Sequence, residues 1–395
     1  MAVLTKHPVA PPPAAPARER SGHLLLRMWC VIVLVQAFAA VAVMHVFGPV
    51  GTGAIAVGST LLSAVAWVIA RPYADPRRLP WFVLAYVVWV AASAFWSASP
   101  SEAGLAASTL ALTTGQALFI ACVLTWKEIV AAIAAALKWM IALALLAEFV
   151  FFPGQAFFGD TRLLGAIALF GLVVFAIRLV ARAAQRVMLA VWALLALVLF
   201  VRESSAVGWL SAVAVAVVLA TVLLMRTVRR PGGRTRYYAL FAVVGIASAL
   251  GVWLGRDALF TALEPAQNIW ADTHARTGLV GDILVVGVAI SFVWRSWFFA
   301  IDRPRWDLRA DRPYSPLTLL PTLTGALLLV HALAGSGATL LWGWMLIVLL
   351  GVKLTQAPLV GVGPAEQSVA MEQGDRVGLL AEETSPRGAE RVVPR

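Results

Sequence analysis

Long apolar runs separated by short polar segments dominate the chain. Each run is ~20 residues long, and an α-helix of that length covers the ~30 Å hydrocarbon core of a bilayer. The alternating ten-residue segments of a spanning β-barrel do not occur. The fold class is therefore predicted to be all-α, a polytopic integral membrane protein with about 12 transmembrane helices. The predicted spans are residues 24–47, 52–70, 80–97, 103–125, 129–151, 163–181, 187–201, 204–225, 238–254, 278–300, 317–334 and 338–356.

The two ends of the chain have a different composition from the apolar centre. Residues 1–22 are rich in proline and alanine, and residues 357–395 are polar, so neither segment can bury a core. Both are predicted to be disordered. The chain thus divides into an N-terminal segment, a transmembrane domain over 23–356 whose main outer loop is 255–277, and a C-terminal tail.

Charge sets the predicted orientation. The chain is 61% hydrophobic and only 13% charged, against about 25% charged residues in a soluble domain. Of its 31 lysines and arginines, all but five lie in or near alternate loops, and basic loops are cytoplasmic by the positive-inside rule. Both termini are therefore predicted to be cytoplasmic. The formal net charge of +11 does not indicate nucleic-acid binding, because the basic residues do not form one soluble face.

Four arginines are exceptions to this charge rule, because they lie in the outer loops. One interpretation is that each pairs with a nearby acid at the interface. The other is that their guanidinium groups bind a phosphate-bearing ligand, since the planar fork of arginine matches phosphate oxygens. The sequence leaves both interpretations open. The arginines and their neighbouring acids are Arg162 with Asp160, Arg202 with Glu203, Arg256 with Asp257, and Arg276 with Asp272.

The outer loop also carries a histidine. The later part of segment 255–281 has helical spacing, which predicts a shared face for Gln267, Ala271, His274, Gly278 and Gly281. The two glycines would allow close helix approach at the membrane boundary. Histidine can exchange a proton near neutral pH, although a lone loop histidine is commonly incidental.

Other polar residues have simpler expected roles. Lys138 and Glu148 lie within one predicted span, where a charge is costly and indicates either a structural partner or a function. The serines of the turn at 96–102 are expected to cap the next helix. Cys30 and Cys122 lie in apolar runs, which predicts buried, reduced thiols. No cluster has metal-ligand spacing, so neither a metal nor a cofactor is expected.

Five short segments, in this order, resemble the O-antigen ligase and polymerase superfamily, which includes exopolysaccharide-production membrane proteins. They cover about half of the chain, between residues 94 and 281. The segments are AFWSASPSEAG, GDTRLLG, ESSAVGWLSA, LGRDALF and QNIWADTHARTGLVG.

The resemblance implies a glycosyl transfer at the outer face of a bacterial plasma membrane. In that family a glycan moves from a polyprenyl-pyrophosphate carrier to an acceptor, arginines bind the pyrophosphate, and a loop histidine assists the acceptor. It further implies that Arg162 and Arg256 are phosphate ligands, with Arg202 as a looser candidate. Arg276 is a phosphate-binding candidate from its outer-loop position. Asn268, Trp270 and Asp272 would shape the loop helix. The implied partners are a lipid-linked glycan, membrane lipids and other polysaccharide-assembly proteins.

The chain departs from the family pattern at its expected base. Gln267 stands where the family has histidine, and an amide cannot accept a proton at neutral pH. Ala206 replaces an arginine, and the outer loop is short. The candidate catalytic residues are therefore His274 and Gln267, and Gln267 is the one that stands at the position of the family's histidine. Two other functions stay open from the sequence: a transporter or flippase, and a non-catalytic scaffold of a polysaccharide assembly system.

Overall fold

The computed structural model describes most of the apolar part of the chain. The described residues are 24–72, 74–97, 99–147, 161–181, 185–203, 205–227, 237–238, 269–301, 314–334 and 340–356. Within these ranges, the side chains of 161, 162, 269–272, 275, 334 and 340 are not described. The predicted terminal segments, residues 239–254 of the predicted span 238–254 and most of the outer loop lie outside the described residues.

The described residues are helical, as the apolar pattern predicts. They form the α-helices α1 Leu24–Phe38, α2 Ala40–Ala70, α3 Trp81–Ser93, α4 Pro100–Val123, α5 Trp126–Leu146, α6 Thr161–Val180, α7 Arg186–Glu203, α8 Ala206–Thr227, α9 Ile269–Ile301, α10 Leu319–Ala334 and α11 Leu340–Gln356. Short 3₁₀ turns at Pro76–Arg78 and Pro316–Thr318 precede α3 and α10. By length and composition, seven stretches within the described part can cross a membrane: Ala40–Ala70, Pro100–Val123, Trp126–Leu146, Leu163–Val180, Ala206–Thr227, Arg276–Ile301 and Pro316–Leu333. The apolar helices Leu24–Phe38, Trp81–Ser93 and Leu341–Gln356 are shorter.

Helix α2 is interrupted near its beginning. Gly48 has φ 67° and ψ 179°, a conformation open essentially only to glycine, and Pro49 follows it. By contrast, the helical hydrogen bonds continue from α1 into α2 through Ala39. The Ala39 N–H donates to the Val35 carbonyl, and the Ala39 carbonyl accepts from the Val43 N–H. The physical break therefore falls at Gly48, between the predicted segments 24–47 and 52–70.

The centre of the bundle is formed by α5, α6 and α11, which bury most of their side chains. An aromatic cluster joins α1, α6 and α11: the rings of Phe38, Phe170 and Trp342 have centroids 6.1 to 6.2 Å apart. Cys30 and Cys122 are buried free thiols, as predicted. Helices α5, α6 and α11 thus provide a packed core around which the others are arranged.

Buried polar side chains also connect the helices. The Gln116 amide of α4 donates to the Ser59 hydroxyl of α2 at 2.7 Å, and the Trp344 indole of α11 donates to Thr114 of α4 at 2.9 Å. Hydrogen bonds of this kind hold apolar helices together where burial alone gives no preference between lipid and protein.

One end of the bundle, called here the Lys353 end, is fixed by charged and amide side chains. Lys353 is 1% exposed and donates to the Leu124 carbonyl at 2.6 Å. Glu128 closes a capping box with Thr125 at the start of α5 and pairs with Arg27 of α1. The Gln356 amide binds both backbone groups of Asp75.

The Lys353 end extends across the bundle to α8, α9 and α10. The Trp126 ring stacks on Phe299, with centroids 4.9 Å apart. The Arg226 guanidinium donates to the Ala300 carbonyl at 2.9 Å and to the Thr318 hydroxyl at 2.8 Å. The end of α9 therefore lies at the Lys353 end, and the start of α9 lies at the opposite end of the bundle.

The expected serine cap of α4 is wrong. Ser99 occupies the N-cap position, but its hydroxyl makes no capping bond to the helix backbone. It donates instead to the Glu102 carboxylate at 3.3 Å. The Glu102 carboxylate thus accepts the hydrogen bond that the Ser99 hydroxyl donates. Pro100, at the first helical position, has no N–H, so the helix has one fewer N–H to cap.

Candidate functional site

The start of α9 is a short helical segment that ends at Gly278. This residue has φ 66° and ψ −169°, again a conformation restricted essentially to glycine. The segment Ile269–Thr277 is therefore separated from the apolar stretch that follows. The prediction that the later part of the outer loop is helical is confirmed for the described residues from 269. The continuous face through Gly278 and Gly281 is wrong, because the chain changes direction at the first of these glycines.

The break brings a histidine and a carboxylate together. The His274 Nδ1 atom lies 2.6 Å from the Asp282 Oδ2 atom. In an unbroken helix these residues would be about 12 Å apart along the axis and 80° apart around it, at 1.5 Å and 100° per residue. The turn at Gly278 therefore creates the contact. Sequence reasoning missed Asp282, although a carboxylate in an apolar span was a signal for it.

The geometry of this pair orients the imidazole. A carboxylate beside Nδ1 favours the tautomer that carries its proton there, which leaves Nε2 with a free lone pair. The His274 side chain is 64% exposed and that of Asp282 is 23% exposed, so Nε2 can meet a molecule from solution. The second oxygen of Asp282, Oδ1, is buried without a hydrogen-bond partner. Such a pair can act as a general base on a hydroxyl group.

Trp89 of α3 supports the segment that carries His274. The Trp89 indole donates to the Thr277 carbonyl at 3.0 Å, immediately before the break. Trp96, in the turn after α3, packs on Trp89 with ring centroids 5.4 Å apart. The Thr277 hydroxyl bonds to the Thr273 carbonyl at 2.7 Å, and both threonines are buried. Trp89 thus links the QNIWADTHARTGLVG segment, through Thr277, to Trp96 of the AFWSASPSEAG segment.

The other predicted site residues are described to different extents. Arg202, at the end of α7, lies with its Nε 3.3 Å from the Glu203 Oε1, which favours the local-pairing interpretation for this arginine. Arg276 is exposed on the His274 segment. Trp270, Asp272 and Arg162 are in helical backbone, at the starts of α9 and α6, and their side chains are not described.

Several predicted residues lie outside the described residues altogether: Gln267, Asn268, Arg256 and Glu148. Lys138 is described and partly buried on α5, and no carboxylate in the described ranges pairs with it. Among the residues that the structure describes, no group of three or more His, Cys, Asp or Glu side chains could hold a metal ion.

No family model matches the chain, and neither a curated protein nor a solved structure matches it.

Proposed function

We propose that the chain crosses a bacterial plasma membrane twelve times, with both termini in the cytoplasm and the His274 pair at the outer face. The eleven described helices, together with the predicted span 238–254, would supply the twelve crossings. Two observations support this topology. Basic residues alternate between the loops along the sequence. In addition, helix ends that the charge pattern assigns to the cytoplasm meet at the Lys353 end.

At the outer face, the protein transfers a glycan from a polyprenyl-pyrophosphate carrier to an acceptor hydroxyl. The observation that carries this proposal is the contact between His274 and Asp282, held beside Trp89 and Trp96. It supplies an oriented imidazole in the loop element where the resemblance expects a catalytic histidine. Trp89 also links this loop segment to Trp96 of a second resembling segment.

The proposed reaction is a substitution at the anomeric carbon of the carrier-linked sugar. His274 Nε2 takes the proton of the acceptor hydroxyl while that oxygen forms a bond to the anomeric carbon. The bond from this carbon to the pyrophosphate oxygen breaks, and the polyprenyl pyrophosphate leaves with the electron pair. Arg162 and Arg256 would bind the leaving group and stabilise its charge through bidentate hydrogen bonds. Asp282 acts as a positioning residue through His274.

The structure gives less support to a transporter. Transporters place their broken helices near the middle of the membrane. The breaks at Gly48 and Gly278 instead fall at the boundaries of the predicted spans 24–47 and 278–300. A scaffold without catalysis is the second candidate, and glutamine at position 267 favours it.

A deletion strain tests the proposed function. Loss of the protein should reduce extracellular polysaccharide and cause the polyprenyl-linked glycan to accumulate, because the carrier is no longer unloaded. The wild-type gene should restore both. Arg162→Ala and Arg256→Ala should insert normally yet fail to restore them, and lysine at either position should restore them only in part, since a point charge lacks the fork geometry. Unchanged carrier-linked glycan in the deletion strain would contradict the proposal.

A further inference from the structure

A groove lies between α3, α9 and α11. Its walls are apolar and include Phe82, Ile347 and Leu354. Ile347 and Leu354 are seven residues apart, so the groove extends ~10 Å along α11 at 1.5 Å per residue. It begins beside Pro80, next to the Lys353 end.

Arg295 of α9 is the cationic residue in the wall of this groove. Its side chain is exposed, and it makes no ion pair or hydrogen bond with the described residues. A neighbouring face of α9 exposes Ile290 and Trp294, at 63% and 65%, and the Trp294 ring packs edge-on against Phe298. This is a face that apolar lipid would cover, and an arginine there extends its head toward the interface. An arginine at the membrane surface, next to an apolar groove, is suited to a ligand that has an anionic group and an apolar tail.

We propose that this groove binds an anionic phospholipid of the cytoplasmic leaflet. The phosphate pairs with the Arg295 guanidinium, and part of one acyl chain lies along Phe82, Ile347 and Leu354. Basic pockets between transmembrane helices on the cytoplasmic side bind anionic headgroups in this way. The choice of leaflet rests on the proposed topology, whereas the binding itself is independent of glycan transfer.

The test is native mass spectrometry of the full chain with phosphatidylglycerol and with phosphatidylcholine of the same acyl composition. The wild type should prefer the anionic lipid. Arg295→Gln should weaken phosphatidylglycerol binding roughly fivefold, the effect of ~1 kcal/mol for one basic residue, with phosphatidylcholine unchanged. Arg186→Gln is the matched control, since it removes an exposed arginine at the start of α7, outside the groove. It should leave the preference intact.

A second variant tests the acyl-chain part of the site. Ser291 lines the groove, so Ser291→Leu should narrow it and weaken both lipids equally without changing the charge. Circular dichroism and gel filtration establish that each variant is folded. Equal binding of the two lipids by the wild type would overturn the proposal, as would an equal loss in Arg295→Gln and Arg186→Gln. Full lipid binding by Ser291→Leu would overturn the groove as the place of binding.

Discussion

Asp282→Asn is the perturbation that best isolates the role of the carboxylate at the candidate site. The asparagine side chain has the same shape, but its amide can donate a hydrogen bond to Nδ1 where the carboxylate could only accept one. The amide can therefore stabilise the tautomer that has its proton on Nε2. That tautomer cannot accept a proton from the acceptor hydroxyl.

The size of the effect follows from the exposure of the pair. A general base contributes about 10²- to 10⁴-fold to a rate. The His274 side chain is 64% exposed, so water can also solvate and reorient the imidazole, and the contribution of the carboxylate is reduced. We therefore expect kcat to fall by ~10²-fold, which corresponds to about 2.7 kcal/mol of transition-state free energy. KM should stay nearly constant, because Asp282 acts on the base and not on the substrate.

The assay is glycan transfer from a purified lipid-linked donor, followed at several pH values. Asp282→Asn should lower kcat and alter its pH dependence, which a merely structural defect would not do. Glu102→Gln is the matched control, because it neutralises an exposed carboxylate in the first turn of α4 whose hydrogen-bond partner is Ser99 and not the histidine. Wild-type kcat in Asp282→Asn, or an equal loss in the control, would refute the reasoning.

Two further predictions concern topology and stability. Single cysteines at Ala262 and Arg234, in a background without native cysteines, should differ in whole cells: an impermeant thiol reagent should label only position 262. Labelling of 234 instead would reverse the topology. Glu128→Ala should lower the free energy of unfolding by about 2–3 kcal/mol, because it removes a helix cap and the partner of a half-exposed arginine. Lys127→Ala, at an exposed neighbour, should change it by less than ~0.5 kcal/mol in the same denaturation series.

The helices could be predicted from the sequence because the bilayer imposes their length. A helix that crosses ~30 Å of hydrocarbon needs ~20 apolar residues, so runs such as 103–125 correspond closely to Pro100–Val123 in the structure. The ends of the helices depend on local hydrogen bonds and were less predictable. Ser99 shows this, because its hydroxyl has a carboxylate within reach and binds that instead of the backbone.

The candidate site was only half predictable. His274 could be identified from its position in a polar outer loop. Its partner could not, because residues eight apart do not meet on a regular helix. The contact depends on the positive φ of Gly278. The spacing of apolar residues in a sequence does not reveal that a glycine adopts this backbone angle. The glycines at 278 and 281 were interpreted as sites of close helix approach, whereas Gly278 in fact breaks the helix.

Glycan transfer by purified protein tests the central proposal most directly, namely that His274 serves as the base, with Gln267 at the position where the superfamily that the sequence resembles has histidine. The donor is a polyprenyl-pyrophosphate glycan, and the proteins are the wild type, His274→Ala and Gln267→His. The account predicts transfer by the wild type and a loss of at least ~10²-fold in His274→Ala. Equal transfer by these two proteins would contradict it. So would an inactive wild type with activity gained in Gln267→His, which would identify a scaffold that lacks its catalytic residue.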